Sequence, residues 1–226
     1  MINLTEDDSV KRVEDATERH VRLCRQNPNA DKHVIVIQPL YLDMEAKKTQ
    51  HEQTEKDVNA AQDTVWLWNN ILNDALRDLH GRAKEYDRNH PGSKTCTLIF
   101  PGGNITPIIA LPDPDRPDAA QAIVQKTTSL GTTHELFPLA EKIDKAITSC
   151  NDAAKQLKTA IQSEGNANTV LTISKIALVR KYNANYFVAA SDVDKAFAER
   201  LFPPLRVTKK KKKDNGKTAN TTVTAS

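Results

Sequence analysis

The closest approach to a metal-binding pattern in this sequence is the segment His51-Glu52-Gln53-Thr54-Glu55. Zinc metalloproteases place two histidines four residues apart on one face of a helix, with a glutamate between them as general base. Here Glu55 occupies the position of the second histidine, and residues 45–57 contain no aliphatic side chain larger than alanine. The pattern therefore favours a solvated helical face, and we predict neither a metal ion nor a cofactor.

Nucleophilic catalysis has no visible candidate in the sequence. Cys24, Cys96 and Cys150 are far apart, odd in number and never in a CxxC pair, which argues against a disulfide framework and a zinc site. None has a histidine partner nearby in the predicted elements, and no GxSxG elbow or phosphate-binding glycine motif occurs. Cys24 and Cys150 lie on apolar stripes, which favours buried structural roles. A non-enzymatic protein in a reducing, cytoplasmic compartment is expected.

A run of five lysines stands near the carboxyl end, consisting of Lys209, Lys210, Lys211, Lys212 and Lys213. Without these residues and Lys217, the formal net charge of +3 becomes −3, so the basic character is local. A solubilising disordered tail is the favoured interpretation, and contact with nucleic acid or with another anionic surface remains open. No aromatic residue follows Phe202, so any nucleic-acid contact would depend on charge alone.

Two tryptophans, Trp66 and Trp68, fall in the segment with the strongest helical periodicity. Residues two apart on a helix point about 200° apart, so the two indoles cannot share one face. Trp68 fits the predicted helix–helix seam. Trp66 is then covered by another helix of the bundle, which is the favoured interpretation, or is an exposed anchor for a partner.

The pattern of apolar residues predicts helices for most of the chain. A first helix runs from a cap at Thr5 to about Gln26, and a second extends from about residue 40 to 90 on a seven-residue repeat that includes Met44, Leu72 and Leu79. Between them, residues 34–37 form either a short strand, because they are β-branched, or a linker before Pro39. Extra apolar residues between Val65 and Leu79 indicate that several helices surround the long helix there.

Residues 95–111 are predicted to form a β-hairpin, since two short apolar runs flank Pro101-Gly102-Gly103-Asn104. A return segment is expected from about residue 118 to a stop at Gly165-Asn166, with a pause at Gly131-Thr132 and a kink or restart near Pro138. A fourth helix is expected from Val170 to Tyr182, and its final portion is Val193 to Phe202. The predicted domains are thus a helical bundle over 1–207, with the hairpin inserted at about 95–111, and a disordered lysine-rich tail over 208–226.

The predicted fold is mainly α: an elongated antiparallel bundle of about four helices with a long helical hairpin and a small β-hairpin near its tip. In layout it resembles the helical pore-forming toxins of the haemolysin E type, which implies a membrane-active protein as one alternative. A nucleic-acid-associated protein using the basic tail is another. The leading hypothesis is a non-enzymatic structural or scaffolding protein that self-associates or docks a protein partner through its helical faces.

Overall fold

The computed structural model describes residues 4–203, which are mainly helical, as predicted. No helix in this range is both long and apolar enough to cross a membrane. Seven α-helices and one 3-10 helix lie in it: α1 Val10–Arg25, α2 Asp31–Asn89, α3 Thr95–Ile99, the 3-10 helix Pro101–Gly103, α4 Thr106–Ile109, α5 Arg116–Thr128, α6 Phe137–Asp192 and α7 Lys195–Leu201.

The chain divides into two compact units. Unit 1 comprises the described residues up to Tyr41 and from Ala177 onward, and unit 2 is Leu42–Ile176. In unit 1, α1 contacts α7. The Ser9 side chain caps α1, four residues later than predicted, and the Asp194 side chain caps α7 by accepting from the backbone N–H of Phe197. Each cap satisfies a backbone N–H in the first turn of its helix.

The long helices α2 and α6 pack antiparallel within unit 2. Three contacts join them: Ser174 donates to Asp43, His51 bonds Glu164 at 2.9 Å, and Lys142 pairs with Asp78 at 3.8 Å. Residues later in α2 contact residues earlier in α6, so the two helices run in opposite directions. The core of unit 2 lies where α3, α4 and α5 cover the two long helices. Its fully buried members include Leu72, Leu76, Leu79, Ile99, Phe100, Ile123, Leu136 and Ile143.

The predicted β-hairpin at 95–111 is wrong. Residues 4–203 contain no strand, and this segment forms α3, the 3-10 helix and α4. Its buried residues recur at helical steps and pack against α5: Cys96, Ile99, Phe100 and Ile108. Asp87 starts α3 by accepting the backbone N–H groups of Thr95 and Cys96 at 2.8 and 3.0 Å. Gly102 and Gly103 both have positive φ, a backbone conformation that glycine adopts at little cost. The predicted resemblance in layout to pore-forming toxins included this β-hairpin, which residues 95–111 do not form.

Two further expectations about helix ends are also wrong. Residues 34–37 are neither strand nor linker but belong to α2, where Val34 and Ile37 are buried at helical spacing. Pro39 is tolerated because it lies on the exposed side, where water can reach the carbonyl group that it leaves unbonded. Gly165 does not end a helix either. It lies inside α6, which continues because Ala167 and Leu171 are buried beyond it.

Candidate functional site

Trp66 lies on the exposed side of α2 in unit 2. Its side chain is 67% exposed, and the adjacent Leu67 is 49% exposed. No other helix among residues 4–203 covers it, so the favoured expectation for Trp66 is wrong. Its role as an anchor for a partner stays a prediction. Trp68 packs against the core of unit 2, as the 200° divergence of the two indoles predicted.

The side chains one turn away from Trp66 are polar. Gln62 and Asp63 precede it and are exposed, and Asn70 follows it and donates from its side chain to the Trp66 carbonyl oxygen at 3.0 Å. Polar side chains therefore border the exposed indole along the helix. We call Trp66 and Leu67 together the tryptophan surface.

The lysine run lies outside the described residues. Lys209 to Lys213 were predicted as partner-binding residues, and both that role and the predicted disorder of residues 208–226 stay predictions.

His51 does not lie on a solvated helical face, as the sequence pattern predicted, but contacts Glu164 on α6. Its side chain is largely buried between α2 and α6, where Nε2 lies 2.9 Å from Oε1 of Glu164. Glu55, the only candidate for a second metal ligand, is exposed. No group of three or more histidine, cysteine or acidic side chains suited to a metal ion occurs in residues 4–203. His51 therefore joins the two helices in a polar section of unit 2.

Cys24 has a histidine partner that the sequence analysis missed. His20 precedes it by four residues on α1, and Sγ of Cys24 lies 3.6 Å from both ring nitrogens. Both side chains are fully buried. Burial raises the pKa of Cys24 to about 12 and lowers the pKa of His20 to about 4. A neutral thiol beside a neutral imidazole, with no access from solvent, is a packed pair rather than an activated nucleophile.

The same histidine belongs to a buried polar network in unit 1. Asn185 links two histidines, because its Oδ1 accepts from Nδ1 of His33 at 2.9 Å and its Nδ2 lies 3.5 Å from Nε2 of His20. Nδ2 also donates to the His33 carbonyl oxygen at 3.0 Å, and Nδ1 of His20 donates to the Leu201 carbonyl oxygen at 3.0 Å. His20 further stacks on Phe202 with ring centroids 4.0 Å apart.

The Nδ1 atoms of His20 and His33 are both donors in this network. Each Nδ1 carries the proton, because each faces an oxygen that accepts. Nε2 of His33 is buried and has no hydrogen-bond partner in residues 4–203. Asn185 is 152 residues from His33 in sequence, so no local motif could reveal the network.

No family model matches the chain, and neither the curated proteins nor the solved structures provide a match.

Proposed function

We propose that the protein is a non-enzymatic structural or scaffolding protein that docks a protein, either a second copy or a different partner, through helical faces. The tryptophan surface on α2 is the contact that we assign to this role. The observation that supports it most strongly is the 67% exposure of Trp66. Tryptophan is highly buried on average and is enriched among the residues that dominate binding energy at interfaces.

The position of the surface supports the same role. Trp66 and Leu67 face away from the side of α2 that carries Trp68 and Leu72 into the core of unit 2. The helix is thus held by its buried side, and its exposed side can meet a partner with little rearrangement. The membrane-active alternative depended on a β-hairpin at 95–111, and this segment is helical instead.

We expect substitution of Trp66 to weaken binding and substitution of Trp68 to lower the free energy of unfolding. Trp66→Ser should change the free energy of unfolding by less than about 1 kcal/mol, because most of the side chain is already in water. Trp68→Ser should cost about 2 kcal/mol or more, because it leaves a cavity beside the core. Urea unfolding of both variants measures this difference, and sedimentation over a range of concentrations measures self-association.

Two results would count against the proposal. A large loss of stability in Trp66→Ser would mean that Trp66 is needed for folding rather than for binding. Association that is equally strong in the wild type and in Trp66→Ser would place the contact elsewhere.

A further inference from the structure

The outer face of α1 in unit 1 carries three arginines in the second half of the helix. Arg19, Arg22 and Arg25 follow one another at steps of three residues, and all three are exposed. Residues two apart on a helix point about 200° apart, so Arg22 faces away from the buried His20 and Cys24. None of the three guanidinium groups makes an ion pair or a side-chain hydrogen bond with the described part of the chain. We call these three residues the arginine face.

The acidic residues of α1 leave this face with an excess of positive charge. Glu14 and Asp15 lie in the first half of the helix, and both contact Lys11, at 3.9 and 3.0 Å. Glu18 accepts from the hydroxyl group of Tyr41 on α2 at 3.0 Å and pairs with no arginine. Residues 18–25 therefore hold three arginines against one glutamate. A charge count over the whole chain does not show this excess, because acidic residues elsewhere cancel it.

The lysine run is attached to the chain close to the arginine face. Phe202 stacks on His20 with ring centroids 4.0 Å apart, and His20 directly follows Arg19. Lys209 comes seven residues after Phe202. Because an extended chain spans at most about 3.6 Å per residue, the run begins within about 25 Å of Phe202 whatever its conformation. One extended polyanion can therefore reach both the arginine face and the lysine run.

We propose that the arginine face binds the phosphate backbone of a nucleic acid and that the lysine run adds contacts to the same molecule. Successive arginines rise by about 4.5 Å along α1, and a duplex strand presents one phosphate per about 3.4 Å, so each guanidinium can meet its own phosphate. Arginine suits this role because its planar guanidinium bonds phosphate oxygens through paired donors. The inference uses unit 1 and the lysine run, and it does not depend on the proposed docking function.

The composition of α1 predicts binding without sequence preference. The helix contains no phenylalanine, tyrosine or tryptophan on which a base could stack. Contacts to phosphates fix the position of a protein on a nucleic acid but carry no sequence information. The arginine face should therefore bind unrelated sequences equally well.

An anionic membrane is the other large polyanion, and α1 fits it less well. A helix that lies on a membrane inserts its apolar side into the headgroup region. The apolar side of α1 is buried within unit 1, where Val13, Ala16 and Cys24 are each at most 2% exposed. The helix thus offers charge to a ligand without an apolar anchor for lipid.

Fluorescence anisotropy of the full chain with a labelled DNA duplex tests the inference. Log affinity should fall linearly with log salt, with a slope of about −0.9 for each phosphate contact. The triple variant Arg19→Gln, Arg22→Gln and Arg25→Gln should make that slope shallower by about 2.7 and should weaken binding at low salt by about tenfold or more. Glutamine is a good helix former, so circular dichroism should show unchanged helical content. A second duplex of unrelated sequence should bind within about twofold.

A matched control removes the same number of positive charges from unit 2. Lys126, Lys145 and Lys158 are exposed and make no ion pair with the described part of the chain, so each is replaced by glutamine. The control should bind within about twofold of the wild type and keep its salt slope, because its lysines lie outside the contact. A further variant with lysine at positions 19, 22 and 25 keeps the charge and should also keep the slope.

Four results would overturn the inference. Absence of duplex binding at low salt would show that the arginine face is not such a site. An unchanged slope in the glutamine variant, with loss of binding only on deletion of residues 208–226, would mean that the lysine run acts alone. Equal weakening in the unit 2 control would mean that binding reflects overall charge. Binding to vesicles of phosphatidylserine and phosphatidylcholine, without binding to the duplex, would assign the arginine face to a membrane.

Discussion

The two buried histidines of unit 1, His20 and His33, are linked by hydrogen bonds to Asn185. His20 lies on the apolar stripe of α1, and its burial and its i, i+4 relation to Cys24 could both be expected from that spacing. Asn185, which completes the hydrogen bonding of His20, could not be expected, because it lies 165 residues later in the sequence. Local spacing determines which residues share a face, whereas the tertiary fold determines what they meet.

His20 should make the stability of the fold dependent on pH. Burial lowers its pKa from the ordinary 6.5 to about 4, so the unfolded chain binds a proton between these values and the folded chain does not. The contribution is fully present above pH 6.5 and is lost as the pH falls toward 4, by about 3 kcal/mol in total. Urea unfolding at several pH values measures this loss.

The control for this pH dependence is His20→Gln, which cannot titrate at this position. It should be less stable at neutral pH, because the stacking on Phe202 is lost, and its stability should decline less between pH 6.5 and 4. An identical decline in the wild type and the variant would mean that other groups cause the acid sensitivity.

At the scale of elements, periodicity predicted the long helices better than it predicted their ends. The seven-residue repeat of α2 was correct for Met44, Leu72 and Leu79, which are fully buried. Ile161 on α6 belongs to a similar repeat with Ala140 and Ile147, and yet it is 52% exposed. The core that covers Ala140 and Ile147 includes residues of α3, α4 and α5, and Ile161 lies beyond it. An apolar repeat does not reveal where neighbouring helices end.

The prediction that Gly165 ends a helix was wrong for an energetic reason. Glycine inside a helix costs roughly 1 kcal/mol relative to alanine, which burial of a few apolar side chains can exceed. Gly165 is followed by the buried Ala167 and Leu171, and α6 therefore runs through it. At 95–111, the cap that starts α3 is supplied by Asp87, eight residues before the first helical position, so no short motif announced it.

Gly165 provides a direct test of the continuous helix. Gly165→Ala should stabilise the protein by about 0.5–1 kcal/mol, because no atom beyond the neighbouring residues and local backbone of the helix lies within 4 Å of the added methyl group, and the helical backbone suits alanine. The matched control is Gly131→Ala, which should destabilise the protein, because Gly131 has φ of +101°. Denaturant unfolding of both variants gives the two free energies. A loss of stability in Gly165→Ala would support the helix break that the sequence pattern predicted.

At the scale of the whole molecule, the composition correctly predicted a mainly helical protein, since seven glycines in 226 residues leave little material for turns. The division into two units was not visible, because its boundaries fall after Tyr41 within α2 and before Ala177 within α6 rather than in a linker. The sequence left two alternatives for Trp66: covered by another helix, or exposed as an anchor for a partner. Sequence spacing showed that Trp66 leaves the face of Trp68, but the presence of a covering helix depends on the fold.

The central claim is that the tryptophan surface contacts another protein, and site-specific photo-crosslinking tests it most directly. A photoreactive phenylalanine analogue is placed at Trp66 in the full chain, in cells that express the protein, and the matched control carries it at Leu98, which is 56% exposed on α3 of the same unit. We expect a discrete crosslinked species from position 66, either a dimer of this chain or one defined heterologous adduct, and none from position 98. The absence of a discrete adduct at position 66, or the same adduct at both positions, would contradict the account.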